Sequence, residues 1–232
     1  MINLEELHEG RILLIDKPLD WTSFDVVKKI RWNICNGFGI KKIKVGHAGT
    51  LDPKASGLLI VCTGKLTKKI DEIQAQTKVY TGTIKLGATT PTFDTESDED
   101  QTFPVNHITT ELIQQTIPQF IGEIQQHPPV HSAVKKDGKR LYELARAGKE
   151  VETEARNIRI DKFEITNVEM PFLDFEVQCG KGTYIRSLAN DFGAALNSGG
   201  YLTALRRTKI GDFSVEDADN SFLDRANFPP KS

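Results

Sequence analysis

Residues 46–57 constrain this chain more than any other stretch. The run reads Gly46-His47-Ala48-Gly49-Thr50-Leu51-Asp52-Pro53-Lys54-Ala55-Ser56-Gly57 and passes without a break into the apolar residues Leu58-Leu59-Ile60-Val61-Cys62. A short, uninterrupted apolar run reads as a buried strand. A loop rich in glycine that leads straight into such a strand is held at its mouth, where functional side chains collect. The glycines permit positive φ and close approach of another backbone or a ligand. Asp52 precedes Pro53, which pushes its backbone to the extended region and lets its side chain point outward. Two readings of Asp52 follow from the residues. It caps a turn through its own backbone, or it is a carboxylate nucleophile or base. His47 has the same two readings, structural or functional.

The elements around this loop mix helix and strand. Residues 12–15 are a short apolar strand that ends in Asp16-Lys17-Pro18, a turn signal. Thr22 with Asp25 fits a capping box, and Val26, Val27, Ile30 and Ile34 repeat at helical spacing, which predicts a helix over 24–34. A helix is predicted over 65–75, with Leu66, Ile70 and Ile73 on one side, and a strand over 79–86, with Tyr80, Gly82, Ile84 and Leu86 on one face. The acidic residues 94–100 read as a loop. Helices are predicted over 111–120 and 139–147, the latter closed by Gly148. Strands follow over 158–165 and 173–179, and an amphipathic helix over 183–196. The order lacks a strict βαβ rhythm, so the fold class is α+β (mixed α/β), in one domain.

Composition removes several functions. The chain has 232 residues, 38% apolar and 27% charged, ordinary values for a globular protein. No run approaches the roughly 20 apolar residues that span a bilayer, and no secretory h-region opens the chain, so the expectation is a cytoplasmic protein without a membrane partner. Cys35, Cys62 and Cys179 are too scattered for a disulfide framework or a zinc site, and Cys62 and Cys179 read as core residues. The five histidines are not at ligand spacing. Asp94, Glu96 and Asp98 alternate like a calcium loop but lack its glycine and its final glutamate. The P-loop, HExxH, GxSxG and GxGxxG motifs are all missing. The net charge of −2 conceals two basic groups, Lys28 to Lys44 and Arg206 to Lys209, and an acidic stretch over 94–100. A basic face opposite an acidic loop and a scattered, solvated surface both remain open.

The long ungapped run from Gly46 through Pro53, continued by Ala55-Ser56-Gly57-Leu58-Leu59, resembles the catalytic motif of the bacterial tRNA pseudouridine synthase B family. Further blocks match in order. They are Leu14-Ile15-Asp16-Lys17-Pro18 with Thr22-Ser23, then Lys78-Val79-Tyr80 with Gly87, then Ser132-Ala133-Val134-Lys135 through Gly138-Lys139-Arg140-Leu141-Tyr142. Gly182-Thr183-Tyr184-Ile185-Arg186-Ser187-Leu188 and Leu205-Arg206-Arg207-Thr208 complete the set. Together they reach from about residue 11 to 211.

The resemblance implies a pseudouridine-synthase fold, a largely antiparallel mixed sheet flanked by helices. It implies conversion of uridine 55 in the tRNA T-loop to pseudouridine, with no cofactor and no metal. The base is flipped into a pocket, at a cost of a few kcal/mol. Asp52 is the implied catalytic carboxylate, Tyr80 the residue that stacks on uracil and assists proton removal, and Arg186 the cation that holds Asp52 in a bidentate fork. His47, Tyr184 and Leu205 are implied to line the substrate site. Core packing is the competing reading for Tyr184 and Leu205, and a surface charge for Arg186. An insertion over about 125–155 is implied to grip the T-loop and T-stem. Lys135, Lys139 and Arg140, together with Arg206, would contact RNA phosphates in a salt-dependent way. The expected state is a monomer.

Two departures stand out. His131 occupies a position where the family usually has Tyr, and only about twenty residues follow Gly211, too few for the C-terminal RNA-binding domain many relatives carry. Three alternatives compete: a related synthase or guide-RNA subunit acting on another RNA, a catalytically silent tRNA chaperone, and an α/β domain without nucleic acid.

Overall fold

The computed structural model describes residues 3–132 and 153–229 in full and the backbone of 135–136 and 139–140. In chain order the regular elements begin with α1 (Leu4–Glu9), β1 (Ile12–Lys17), α2 (Ser23–Gly37), β2 (Val45–His47), β3 (Ala55–Thr63), α3 (Ile70–Ala75) and β4 (Lys78–Leu86). They continue with β5 (Ala88–Thr89), β6 (Gln101–Thr102), α4 (Thr110–Thr116), β7 (Gly122–Gln126), β8 (Lys135–Lys136), β9 (Lys139–Arg140), β10 (Arg156–Glu169), β11 (Phe172–Cys179), α5 (Ile185–Ala195), β12 (Gly200–Ile210) and β13 (Phe213–Ser214). The chain divides into two compact units, Met1–Tyr80 with Arg206–Ser232, and Thr81–Leu205.

In the first unit β3 runs antiparallel to β1, in register from Ile12 opposite Cys62 to Lys17 opposite Gly57. β2 pairs with the far end of β3, His47 opposite Val61. The apolar run 58–62 is explained by burial on both faces. Leu59 and Val61 pack with Val26, Val27, Ile30 and Ile34 of α2. Leu58, Ile60 and Cys62 pack with Ile73 and Ile210. α2 starts where its capping box requires: the Thr22 side chain accepts from the Asp25 N–H and the Asp25 carboxylate from the Thr22 N–H. The helix predicted over 65–75 is split. Residues Gly64–Lys69 form a 3-10 helix, and only Ile70–Ala75 are α-helical. Gly64 explains the tighter start, because it sits at φ +54° with the Leu7 and His8 carbonyls where a Cβ would be.

In the second unit β10 pairs antiparallel with both β11 and β7, with bulges between Ile160 and Lys162 and between Ile165 and Asn167. Leu173, Phe175, Val177 and Cys179 of β11 are buried, as their alternation predicts. Phe163 of β10 meets Phe175 and Phe192 edge-on with ring centroids 6.1 and 5.2 Å apart, and Phe120 lies 6.3 Å away. Such edge-to-face pairs add to area burial. The helix predicted over 139–147 is not seen at its start, where Lys139 and Arg140 pair as a strand with Lys135 and Lys136. Residues 141–147 lie outside the described part. The strands β7 and β12 have no counterpart in the sequence reading.

Candidate active site

The loop between β2 and β3 is anchored from several directions. Ala48, Leu51 and Ala55 bury their side chains beneath it. The Ala48 N–H donates to the Ile60 carbonyl (2.8 Å), and the Ala55 N–H to the Asp52 carbonyl (3.1 Å). Ser23, buried in the first turn of α2, grips Leu51 twice. Its hydroxyl oxygen accepts from the Leu51 N–H (2.8 Å), and the hydroxyl donates to the Leu51 carbonyl (3.1 Å). The Asp20 N–H donates to the Pro53 carbonyl at 2.9 Å.

Two buried cations complete the anchoring. Lys17 occupies the inward parity of β1 with Leu13 and Ile15, and its ammonium donates to the carbonyls of Trp21 (2.6 Å), Pro18 (2.9 Å) and Pro53 (3.5 Å). Burial pulls its pKa down to about 8, and the negative charge of Asp52 is the largest opposing influence. Arg207, only 1% exposed on β12, donates from Nε to the Leu58 carbonyl (2.8 Å) and from its terminal nitrogens to the carbonyls of Gly49 (3.1 Å) and Thr50 (3.5 Å). Its backbone passes so close to Gly57 (φ +101°) that a Cβ there would stand 2.3 Å from the Arg207 carbonyl oxygen. Only glycine satisfies that position.

Tyr80 is buried, and the Arg207 guanidinium carbon lies 6.0 Å from its ring centroid. This is the outer range of a cation–π contact. His47 is half-buried. Burial, followed by the positive charge of Arg207, lowers its pKa, which favours a neutral ring. Its Nδ1 is buried without a hydrogen bond of normal geometry, although the Gly49 backbone lies close enough to oppose that shift. The first unit thus brings Asp52, His47 and Tyr80 onto or beside one loop, together with Lys17 and Arg207.

The second unit carries the remaining expected positions. Arg186, in the first turn of α5, is buried. It donates to the carbonyls of Thr92 and His131, both at 3.0 Å, and its Nε stands 3.7 Å from the Asp94 carboxylate. The Asp94 side chain is itself fixed by the Thr92 hydroxyl (2.6 Å) and the Glu96 N–H (3.0 Å). His131 meets Arg186 through its main chain, so the departure from Tyr at this position leaves that contact intact. Tyr184 is the N-cap residue of α5, and its backbone exchanges two hydrogen bonds with the buried Gln126 side chain (2.8 and 3.1 Å). Leu205 is half-buried on β12. Arg206, expected at RNA phosphates, holds Asp16 in a bidentate fork at 2.9 and 2.8 Å. Of Lys135, Lys139 and Arg140 the structure describes only the backbone.

Sequence reasoning assigned no role to Lys17, Arg207, Ser23 or Asp94. The signal for Lys17 was available: a lysine on the inward parity of an apolar strand, just before proline, is not a surface charge. Among the described residues, no group of histidine, cysteine, aspartate or glutamate side chains is arranged to hold a metal ion. No described helix is long and apolar enough to cross a membrane.

The Asp52 loop is thus held from several sides, with two buried cations at its backbone and a buried tyrosine beside one of them. Residues 36–185 match the family model for the TruB family pseudouridylate synthase (N terminal domain). The chain is 60% identical over 215 residues, 92% of its own length and 94% of the relative's, to tRNA pseudouridine synthase B of Flavobacterium johnsoniae. Among solved structures it resembles a chain of a Cbf5-Nop10-Gar1 complex, with 30% identity and a TM-score of 0.66. It also resembles a chain of an H/ACA RNP bound to a substrate RNA containing 2′-deoxyuridine, with 25% identity and a TM-score of 0.64. The alignments take in 90% and 99% of this chain but only 51% and 62% of those longer ones. The chain belongs to the TruB family of pseudouridylate synthases. Its fold is the pseudouridine-synthase fold, and it is an enzyme that isomerises uridine in RNA.

Proposed function

We infer that the protein converts uridine 55 in the T-loop of tRNA to pseudouridine, with Asp52 as the carboxylate that acts on the flipped nucleotide. The reaction breaks the N1–C1′ bond, turns the base while it is held, and forms C5–C1′. C5 loses a proton and N1 gains one, so product and substrate are isomers. The observation that carries this reading is the fixation of the Asp52 loop. The carbonyls of Gly49, Thr50, Leu51, Asp52 and Pro53 all accept hydrogen bonds, and the anchoring donors include the buried cations Lys17 and Arg207. Such preorganisation holds a reacting group in place without reorganisation cost during the reaction. Tyr80 offers a ring for the uracil and a hydroxyl for proton removal from C5, and His47 offers a neutral imidazole to the nucleotide.

Arg186, Tyr184 and Leu205 are assigned to the same reaction, Arg186 as its cation and the other two as substrate-lining residues. Lys135, Lys139 and Arg140 of the 125–155 segment would hold T-loop phosphates, and Arg206 would do so with its fork shared with Asp16. The enzyme would act as a monomer in the cytoplasm. The test is pseudouridine mapping along an unmodified tRNA transcript incubated with the wild-type protein. Modification confined to the T-loop uridine is expected. Modification elsewhere, or binding without modification, would overturn the reading.

A further inference from the structure

The outer face of α2 carries a second feature that the chemistry at Asp52 does not use. The buried face of this helix is Val26, Val27, Ile30 and Ile34. On the opposite side Asp25, Lys28, Lys29 and Trp32 stand at i, i+3, i+4 and i+7, one continuous stripe. With Asp20 and Trp21 from the preceding turn they line an open groove of about 510 Å³. That lies within the roughly 300–1,000 Å³ of sites that take small ligands, so one nucleotide fits. Trp32 is 52% exposed. An aromatic ring left in water offers a face on which a base can stack.

The charges of the groove select the partner. Its two acids are engaged: Asp20 pairs with Lys54 at 2.8 Å, and Asp25 caps α2 through the Thr22 N–H (3.0 Å) and hydroxyl (2.5 Å). Its two lysines are committed to no carboxylate among the described ion pairs, and the Lys29 ammonium lies 5.4 Å from the Trp32 ring centroid. An exposed indole beside two ammonium groups is the arrangement that stacks a base and neutralises its phosphate. The groove is also tied to the Asp52 loop, because the Asp20 N–H donates to the Pro53 carbonyl and the Trp21 carbonyl accepts from Lys17. The Asp20–Trp21 end of the groove therefore adjoins that loop.

We propose that this groove holds an unpaired nucleotide of the substrate RNA other than the target uridine, its base stacked on Trp32 and its phosphate held by Lys28 and Lys29. The assignment rests on the reading of the protein as a tRNA-modifying enzyme. The partner is recognised by a π-face and a phosphate, so the contact tolerates different bases.

The chain contains only two tryptophans, and both line the groove, so tryptophan emission reports this region, and comparison with Trp32→Leu separates the Trp32 signal from that of Trp21. Full-length protein is titrated with unmodified tRNA transcript while filter binding measures occupancy independently. The expected result is a saturable change in emission that tracks binding. Trp32→Leu is expected to weaken affinity about tenfold, the effect of losing one stacked base. The double variant Lys28→Ala, Lys29→Ala is expected to lower the salt slope of binding by about 1 to 2. The single-turnover rate at saturating tRNA stays within about twofold of wild type in both variants. Thermal melting confirms that each variant folds, which the exposure of Trp32 and Lys28 and the half-buried position of Lys29 predict. Emission that stays unchanged while tRNA binds, or equal affinity in Trp32→Leu, overturns the groove assignment. The functional reading fails separately, if tRNA binds and perturbs the tryptophans but no pseudouridine forms.

Discussion

Arg207 offers the sharpest test of how the Asp52 loop is held. Replacement by lysine keeps the charge but removes the planar fork that reaches Leu58, Gly49 and Thr50 at once. The 3.5 Å contact to Thr50 is marginal, so two good bonds are at stake, each worth about 1.5–3 kcal/mol because the donor is charged. A lysine ammonium satisfies one of the two carbonyls, which leaves a loss of about 2 kcal/mol. For a chain of this size that lowers the melting temperature by roughly 4–8 °C. The larger effect is on chemistry. A shift of about 1 Å in a reacting group can cost about 100-fold, and the Gly49 end of the loop would be free to make such a shift. Arg207→Lys is therefore expected to lower kcat by about 10- to 100-fold, with KM for tRNA within about threefold. Steady-state kinetics on tRNA transcript, paired with a melting curve, measures both. A variant with wild-type kcat, or one whose loss appears only in KM, would refute the reasoning that Arg207 positions the catalytic loop.

Two further predictions test other links. The Lys17 ammonium is pulled down to about 8 by burial. Below that pH Lys17 is charged in both the folded and the unfolded chain, and the full burial cost is present. Between about 8 and the ordinary lysine value the unfolded chain binds more protons, so stability rises with pH by up to about 1.4 kcal/mol per unit relative to Lys17→Met. Urea unfolding of both proteins at about pH 7 and about pH 9.5 reads this difference, and parallel pH slopes would contradict it. In the second unit, Phe163→Ala removes the ring that meets Phe120, Phe175 and Phe192, at an expected cost of about 3–5 kcal/mol. A loss below about 1 kcal/mol in the same assay would show that the aromatic cluster does not organise that core.

Elements whose pattern comes from a single buried face were legible in the sequence. α2 follows its capping box and its apolar stripe, and β11 follows its alternation. β3 was legible for a different reason, since a strand buried on both faces needs no polar positions. β12 was not legible because Arg206, Arg207 and Lys209 interrupt any alternation. The reason lies outside the strand: Arg207 is drawn inward by carbonyls of the Asp52 loop, and Arg206 is partnered by Asp16. The site shows the same division. From its residues alone Asp52 reads more readily as a turn cap, and the catalytic reading came only from the resemblance of the long motif around it. The cations that hold its loop went unassigned because their partners are backbone carbonyls, which have no sequence signature. The partners of Arg186 within its own unit, Thr92, His131 and Asp94, were not legible, because these are contacts between residues far apart in the chain or contacts to main-chain carbonyls.

The measurement that bears most directly on the central claim is single-turnover pseudouridine mapping on tRNA transcript with wild-type protein and Asp52→Asn. The substitution is nearly isosteric and keeps the main-chain bonds of the loop, so the variant should fold and bind tRNA with wild-type affinity. It should form no pseudouridine at the T-loop uridine. Modification at a wild-type rate by a folded, tRNA-binding Asp52→Asn protein would contradict the account.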